Sequence, residues 1–230
     1  MTPLLEYPRS AALGRVVPKT RIYEHAGVEA ALRDLFVEQV DQIIWRYKLA
    51  PETVNLRATH SVPEIQIFEV ALRTGALNEG VLRAIDRAIP FPLIFELTYT
   101  GKRKVMAAYK RPSEGASDRW VISDFFTTEW VSDDAPREPL PVAVHLGALY
   151  DRILTSIMPV PMTAYEDIQS RVDRMAAIRA KEREVERIKV RLAREKQFNK
   201  RVAINAELRN TKQELERLIA GHSGAGMTND

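Results

Sequence analysis

Residues 93–109 read LIFELTYTGKRKVMAAY, which is two apolar segments separated by a short polar one. The first segment, residues 93–99, is rich in β-branched and aromatic side chains, as strands are. The Thr100-Gly101 pair that follows favours a tight turn, because glycine adopts positive φ angles at no steric cost. The stretch therefore predicts a β-hairpin whose second strand covers residues 104–109.

The residues on either side predict the rest of a folded body. Alternating apolar residues predict strands over 64–72 and 120–126, and helical spacing predicts helices over 28–48, 78–89 and 142–157. Asn78 is expected to cap the second of these helices, and Pro90 to end it. Residues 1–26 are predicted to be irregular with an edge strand over 19–23, and residues 49–56 to form a loop. This order predicts an α+β domain over residues 1–161 with a small, mainly antiparallel sheet and flanking helices.

Residues 162–220 contain no Gly or Pro and predict one long, basic coiled-coil helix, roughly 80 Å long if continuous. Apolar residues form two seams that differ in phase, which predicts a stutter or bend near Phe198. The seams predict pairing with a second copy or with a partner's helix. Residues 221–230 are predicted to be a disordered tail. The seam residues are Ile178, Val185, Ile188, Leu192, Ile204, Leu208, Leu215 and Leu218.

Positive charge is concentrated in the predicted helix. Residues 165–220 hold 15 Lys and Arg against 10 Asp and Glu, whereas the whole chain has a net charge of only +3. Such asymmetry suggests an acidic partner such as DNA, although a solvated helix face with internal ion pairs explains it as well. The basic residues predicted to bind a nucleic acid or a protein partner are Arg187, Arg191, Arg194, Lys200 and Arg201.

Several classes of chemistry lack their sequence patterns. The chain has no Cys, its four His are isolated, and no phosphate-binding glycine loop is present. We therefore predict no cofactor and no metal site. No apolar stretch is long enough to span a membrane, and residues 1–6 do not resemble a signal peptide, so we expect a cytoplasmic protein without membrane contact.

A basic rim is predicted around the hairpin of residues 93–109. Basic residues interleaved with Tyr99, Tyr109 and Trp120 are typical of surfaces that bind phosphates and stacked bases. The alternative is that the aromatic side chains belong to the core and the basic ones only make the loops soluble. The rim residues are Lys102, Arg103, Lys104, Lys110, Arg111 and Arg119.

A weaker alternative is a catalytic site made of Glu69, Glu96 and Lys104. Two carboxylates and a lysine on adjacent strands could hold Mg²⁺ against a phosphate, as in a metal-dependent nuclease. However, neither acid is followed two residues later by lysine. Both acids could equally lie on a polar face of the sheet.

Three segments resemble a bacterial family classified as a domain of unknown function. They are Val17-Pro18-Lys19 with Tyr23, residues 44–56 (IWRYKLAPETVNL), and residues 195–209 (EKQFNKRVAINAELR). Members of that family are typically encoded beside DNA methyltransferases and superfamily-2 helicases in restriction and phage-defence gene clusters. The polar residues that the resemblance singles out as binding candidates are Lys19, Lys48, Thr53 and Asn55.

The resemblance implies an accessory subunit of a DNA restriction or antiviral system. It assigns no catalytic residue. The leading hypothesis is a non-catalytic interaction protein that docks on a helicase or methyltransferase and contacts DNA, with a homodimer formed through the C-terminal helix as a further expectation. The alternatives are a metal-dependent nuclease or other DNA-processing enzyme, and a structural dimeriser without nucleic-acid contact.

Overall fold

The computed structural model describes residues 4–113, 115–163 and 166–221, with only the backbone described for residues 116–119. The chain divides into two compact units, a body over Met1–Pro159 and a C-terminal unit over Val160–Asp230. The predicted disordered tail lies, apart from Gly221, outside the described residues.

The body is built around a mixed sheet. Its strands follow the order β2-β3-β4-β5-β6-β7, with β8 pairing to β6, and every pair is antiparallel except β4–β5. A separate parallel pair joins β1 to β9. The α+β prediction with a mainly antiparallel sheet is confirmed. The strands are β1 Leu5–Glu6, β2 Ala12–Val16, β3 Val40–Leu49, β4 Ile65–Leu72, β5 Leu93–Tyr99, β6 Lys102–Ser113, β7 Ala116–Thr127, β8 Val131–Ser132 and β9 Glu138–Pro139.

Helices cover both faces of this sheet. The main apolar core lies between the sheet and three helices, α1 (Lys19–Ala26), α2 (Ala30–Gln39) and α4 (Glu79–Ala88). A one-turn helix, α3 (Pro51–Val54), follows β3. Helix α5 (Leu146–Ile157) packs on β6 and β7, and its buried Tyr150 hydroxyl donates to the Ala108 carbonyl at 2.7 Å.

The hairpin predicted over residues 93–109 is confirmed, with strands β5 and β6. Thr100 (φ 43°) and Gly101 (φ 72°) both adopt positive φ angles, as a two-residue hairpin turn requires. The Asn78 cap is also confirmed, because its side chain accepts a hydrogen bond from the Gly80 N–H. The hairpin turn and the helix cap are each set by residues that are neighbours in the sequence.

The predictions for residues 1–48 are largely wrong. Residues 19–23 form the start of helix α1 and not a strand, and the helix predicted over 28–48 ends at Gln39, where strand β3 begins. Strand β3 hydrogen-bonds to β2 on one side and to β4 on the other. Its β-branched and aromatic residues suit a sheet, and pairing with distant strands outweighs their helix-like spacing.

The C-terminal unit is a helical hairpin and not one long helix. Helix α6 (Ile168–Arg194) and helix α7 (Phe198–Ala220) are joined by residues 195–197 and run antiparallel, as the Lys181–Glu214 ion pair shows (2.7 Å). The connection contains neither Gly nor Pro, so the usual signals for a helix end are missing. The predicted seams contribute Ile178, Val185, Ile188 and Ile204 to the buried residues of this one chain.

Candidate functional site

Glu69 and Glu96 lie side by side in the body. They are register partners on the parallel strands β4 and β5, and both are buried. Two adjacent carboxylates repel each other, and their removal from water is costly unless positive groups compensate. The structure therefore brings together two of the three residues of the predicted nuclease site.

Three arginines neutralise these carboxylates. Arg103 Nη1 contacts Glu69 Oε2 at 3.0 Å and Glu96 Oε2 at 2.7 Å. Arg46 Nη2 donates to Glu69 Oε1 at 2.8 Å, and Arg137 donates to both oxygens of Glu96 at 3.0 Å. Every carboxylate oxygen thus accepts an arginine hydrogen bond. We call these five residues the carboxylate–arginine cluster.

Hydrogen bonds within the cluster favour the charged forms of Glu69 and Arg137. Burial alone would raise the pKa of Glu69, but the hydrogen bonds from Arg46 and Arg103 lower it below its usual value. The hydrogen bonds to Glu96 raise the pKa of Arg137 against the effect of its burial. Burial and the nearby Glu96 raise the pKa of Tyr7 well above its usual value. Asp133 Oδ1 also accepts a hydrogen bond from Arg103 Nε at 2.6 Å, so three carboxylates balance the three arginines. The ionic network is thus internally neutralised, and Glu69 and Glu96 carry no free oxygen for a metal ion.

Lys104 lies away from this cluster. It pairs with Leu97, whereas Glu96 pairs with Val105, and side chains alternate between the two faces of a sheet. Its Nζ sits 5.0 Å from the centre of the Trp130 ring, on the opposite face from Glu96. The three predicted nuclease residues are therefore not brought together. Within residues 4–113, 115–163 and 166–221, no group of three or more His, Cys, Asp and Glu side chains is placed to hold a metal ion.

Some residues of the predicted basic rim are buried and others are accessible to solvent. Arg103 belongs to the carboxylate–arginine cluster, and Lys110 is only 2% exposed. Lys110 Nζ contacts Asp86 Oδ1 at 2.8 Å and donates to backbone carbonyls at the end of α4. Burial lowers the pKa of Lys110 and raises that of Asp86, and the charge of each opposes the shift of the other. Placing Arg103 and Lys110 on an exposed rim was wrong, because distant acids hold them inside the body.

Three of the other rim residues are at least partly accessible. Lys102 is exposed, while Lys104 and Arg111 are half-buried. The side chain of Arg119 lies outside the described part of the chain. Trp120 is half-buried, with Lys110 Nζ 5.7 Å from its ring centre. Among the described side chains, the aromatic and basic surface that the sequence predicted here therefore lacks two of its members, Arg103 and Lys110.

The polar residues singled out by the family resemblance shape the backbone around them. Lys19 Nζ donates to the carbonyls of Phe36 and Val40, where α2 ends. The Thr53 hydroxyl accepts from the Ala50 N–H at 2.8 Å and donates to the Lys48 carbonyl at 2.7 Å. Asn55 ends α3 at φ 54°, a left-handed conformation that Asn tolerates. Lys48 pairs with Glu52 and Glu64 at 2.9 and 3.3 Å.

Positive charge is concentrated at the end of the helical hairpin where α6 is connected to α7. Residues 187–201, which we call the hairpin tip, hold seven Lys and Arg and one acidic residue, a net charge of +6. All seven cations are exposed. Arg191 pairs with Glu207, and Lys189 pairs with Glu186 at 3.1 Å. The remaining five form no ion pair within the described residues, and they are Arg187, Arg194, Lys196, Lys200 and Arg201.

At the opposite end of the helical hairpin, which we call its closed end, an arginine links the two helices. Arg174 contacts the Glu166 carboxylate through Nε at 2.6 Å and Nη2 at 2.8 Å. Its Nη1 also donates to the Leu218 and Ile219 carbonyls in the last turn of α7. The hydrogen bonds from Arg174 lower the pKa of Glu166 to about 2. Arg174 therefore ties the start of α6 to the end of α7.

Sequence reasoning located some of these residues and missed others. The sequence alone predicted five of the basic residues at the hairpin tip, because a run of like charges can be recognised without the tertiary structure. They are Arg187, Arg191, Arg194, Lys200 and Arg201. Sequence reasoning missed Arg46, Arg137 and the Arg174–Glu166 pair, whose partners lie 8 to 41 residues away. It also missed the exposure of Phe198, although an aromatic residue outside both seams was a signal for it.

The fold and the two charged regions define a class of protein. It has an α+β body with an internally neutralised ionic cluster, followed by a helical hairpin with a basic tip. The chain belongs to the family described as a domain of unknown function, DUF4391, which matches residues 5–215. This confirms the resemblance to a domain family of unknown function. No curated protein and no solved structure matches the chain. None of the described helices is long and apolar enough to cross a membrane.

Proposed function

We propose that this protein is a non-catalytic accessory subunit of a DNA restriction or phage-defence system, and that its hairpin tip contacts nucleic acid. The observation that carries the proposal is the contrast between the two charged regions. The buried carboxylates of the body are saturated by arginines, whereas five cations of the hairpin tip form no ion pair with a described residue. Among these five, only Lys200 acts on a described acid, because the hydrogen bond from the Gln197 N–H and then the charge of Lys200 lower the pKa of Glu195.

Binding to a polyanion explains a cluster of cations without ion pairs better than a solvated helix face with internal ion pairs does. A face stabilised by internal pairs would carry acids at helical spacing, as Lys181 does with Glu184 and Glu214. The hairpin tip has one acid, Glu195, and its carboxylate accepts the Gln197 N–H in the connection. Lys and Arg that neutralise phosphates release counterions, which drives binding. The charge of the hairpin tip therefore favours a phosphate backbone.

The protein partner in the proposal is a helicase or DNA methyltransferase of the same gene cluster. Its support is the family resemblance of residues 44–56 and 195–209, together with family membership over residues 5–215. In the body, Lys19, Thr53 and Asn55 stabilise local backbone, which suits a rigid docking scaffold. The test is co-purification of a tagged chain with the enzymes encoded beside it. Recovery of neither enzyme would reject this part of the proposal.

Nucleic-acid binding is tested by fluorescence anisotropy with a labelled oligonucleotide between 50 and 200 mM salt. We expect log K to fall with log salt at a slope of about −2 to −4, because each phosphate contact contributes about −0.7 to −0.9. Replacing Arg194, Lys200 and Arg201 together by Gln should flatten the slope by about 2 to 3 and weaken binding roughly 10- to 100-fold.

The matched control removes the same charge from the other half of α7. Arg209, Lys212 and Arg217 are exposed there, and replacing all three by Gln should change affinity less than the tip variant does. Equal losses in the two triple variants would show that only net charge matters. That result, or the absence of binding at low salt, would reject the hairpin tip as the contact site.

A further inference from the structure

Phe198 is largely exposed to solvent at the hairpin tip. It is the first residue of α7 and is 78% exposed, whereas every other Phe, Tyr and Trp in the described part of the chain is buried or half-buried. An exposed aromatic side chain forgoes about 1.5–3 kcal/mol of burial free energy. An exposed aromatic ring therefore lies among the cations of the hairpin tip that form no ion pair with a described residue.

The packing of the helical hairpin does not require this ring. At about 100° per residue, Phe198 lies roughly 120° around α7 from Ile204, which is buried in the seam. Val202, one turn further along the Phe198 face, is 53% exposed. Arg201 and Asn205 lie three and seven residues after Phe198, so they share its face, and both are exposed. This face combines an aromatic ring, a cation and an amide.

We propose that Phe198 stacks on an unpaired base, so that the hairpin tip prefers single-stranded over double-stranded nucleic acid. The inference rests on the proposed nucleic-acid contact and adds the class of substrate. Bases in a duplex are stacked on each other and offer no free ring face to a side chain on a helix surface. An unpaired base offers its ring, and proteins that bind single strands combine aromatic stacking with a positively charged track.

The surroundings of Phe198 supply that charged track. Arg194, Lys196 and Arg201 lie within four residues of it, and none forms an ion pair within the described residues. They can contact the phosphates on either side of a stacked nucleotide. The exposed amide of Asn205 can donate to and accept from a base edge. An anionic lipid surface would need a wide apolar face, but the Phe198 face of α7 offers only Phe198 and Val202.

The experiment compares a single-stranded 20-mer with a duplex of the same length at one salt concentration. We expect Phe198→Ala to weaken single-strand binding roughly 5- to 100-fold and duplex binding less than about twofold. The slope of affinity against salt should not change, because the substitution removes no charge. Phe198→Trp should retain single-strand affinity, and its fluorescence should be quenched when the oligonucleotide binds.

Two controls separate stacking from simple apolar contact. Phe198→Leu keeps an apolar side chain but removes the aromatic face, so it should behave like Phe198→Ala, whereas an apolar wedge between base pairs would survive it. Val202→Ala removes exposed apolar surface on the same face and should leave the preference unchanged. Each variant should keep the wild-type circular dichroism spectrum, because Phe198 and Val202 are exposed.

The outcomes distinguish this inference from the proposed function. If Phe198→Ala or Phe198→Leu binds single strands as the wild type does, or if the wild type prefers the duplex, stacking is rejected while the charge-based contact stands. If the Arg194, Lys200 and Arg201 triple variant also binds normally, the proposed nucleic-acid contact is rejected too. Binding to phosphatidylserine vesicles in place of the oligonucleotides would overturn both.

Discussion

Arg103 in the body and Arg194 at the hairpin tip carry the same side chain in opposite surroundings. Arg103 is 8% exposed and hydrogen-bonded to Glu69, Glu96 and Asp133, whereas Arg194 is exposed and has no acidic partner among the described residues. The body uses its charges to hold strands together. Five of the seven cations at the hairpin tip form no ion pair with a described residue, so the residue type that stabilises the fold in the body is the one that we propose for binding in the other unit.

The strongest test of this comparison is Arg103→Met. It leaves Glu69 and Glu96 buried with fewer positive partners, and breaking a buried ionic network by removing one partner costs about 3–5 kcal/mol. Urea unfolding followed by tryptophan fluorescence should show a loss of that size. The neighbouring exposed Lys102→Met should change the free energy of unfolding by less than about 0.5 kcal/mol. A loss below about 1 kcal/mol for Arg103→Met would show that the cluster does not stabilise the body.

The second test concerns the closed end of the helical hairpin and its response to acid. The pKa of Glu166 is about 2 in the folded protein, below its usual value of 4.5. The ion pair with Arg174 therefore adds stability above pH 4.5, and this stability is lost as pH falls from about 4.5 to 2. We expect about 1–2 kcal/mol near neutral pH, because solvent screens charges near the surface.

Hydrogen exchange of the last turn of α7 measures this effect locally. In the wild type, protection should decrease between pH 4.5 and 2 beyond the intrinsic change in exchange rate. Glu166→Gln should begin with lower protection and lack this extra decrease. The same pH dependence in Glu166→Gln and the wild type would assign the effect to other carboxylates.

A smaller effect is expected at Lys19, which lies in one of the segments that resemble the family. Lys19→Met removes hydrogen bonds to the Phe36 and Val40 carbonyls where α2 ends, and a cation at that end also interacts favourably with the helix dipole. The expected loss is about 1 kcal/mol in thermal or urea unfolding. Nucleic-acid affinity should stay the same. Lower affinity with unchanged stability would instead make Lys19 a binding residue.

The smallest effect on stability is expected at the hairpin tip. Replacing Arg194, Lys200 and Arg201 by Gln should change the free energy of unfolding by less than about 0.5 kcal/mol, because these exposed cations have no described ion-pair partner. The same variant should show the largest loss of nucleic-acid affinity. Substantial unfolding of this variant would remove the distinction between the two charged regions.

Local features of the fold could be predicted from the sequence, and long-range ones could not. The β5–β6 hairpin was predictable because Thr100-Gly101 sets the turn, and α4 because Asn78 caps it and prolines follow it. Strand β3 was predicted as helix, because its extended form depends on pairing with β2 and β4. The two seams of different phase predicted a stutter or bend near Phe198, and the helix is indeed divided at residues 195–197. The reversal into an antiparallel hairpin was not predicted, because it depends on the packing of α6 on α7 and is marked by no Gly or Pro.

For the candidate site, the sequence by itself determined how many charges there are and where positive charge is dense, including the excess in residues 187–201. Only the tertiary structure decided which charges are free. Sheet register brings Glu69 beside Glu96 and within reach of Arg103, and it sends Lys104 to the other face. The physical reason is that an ion pair depends on distance in space, and residues far apart in the chain become neighbours only when strands pair and helices pack.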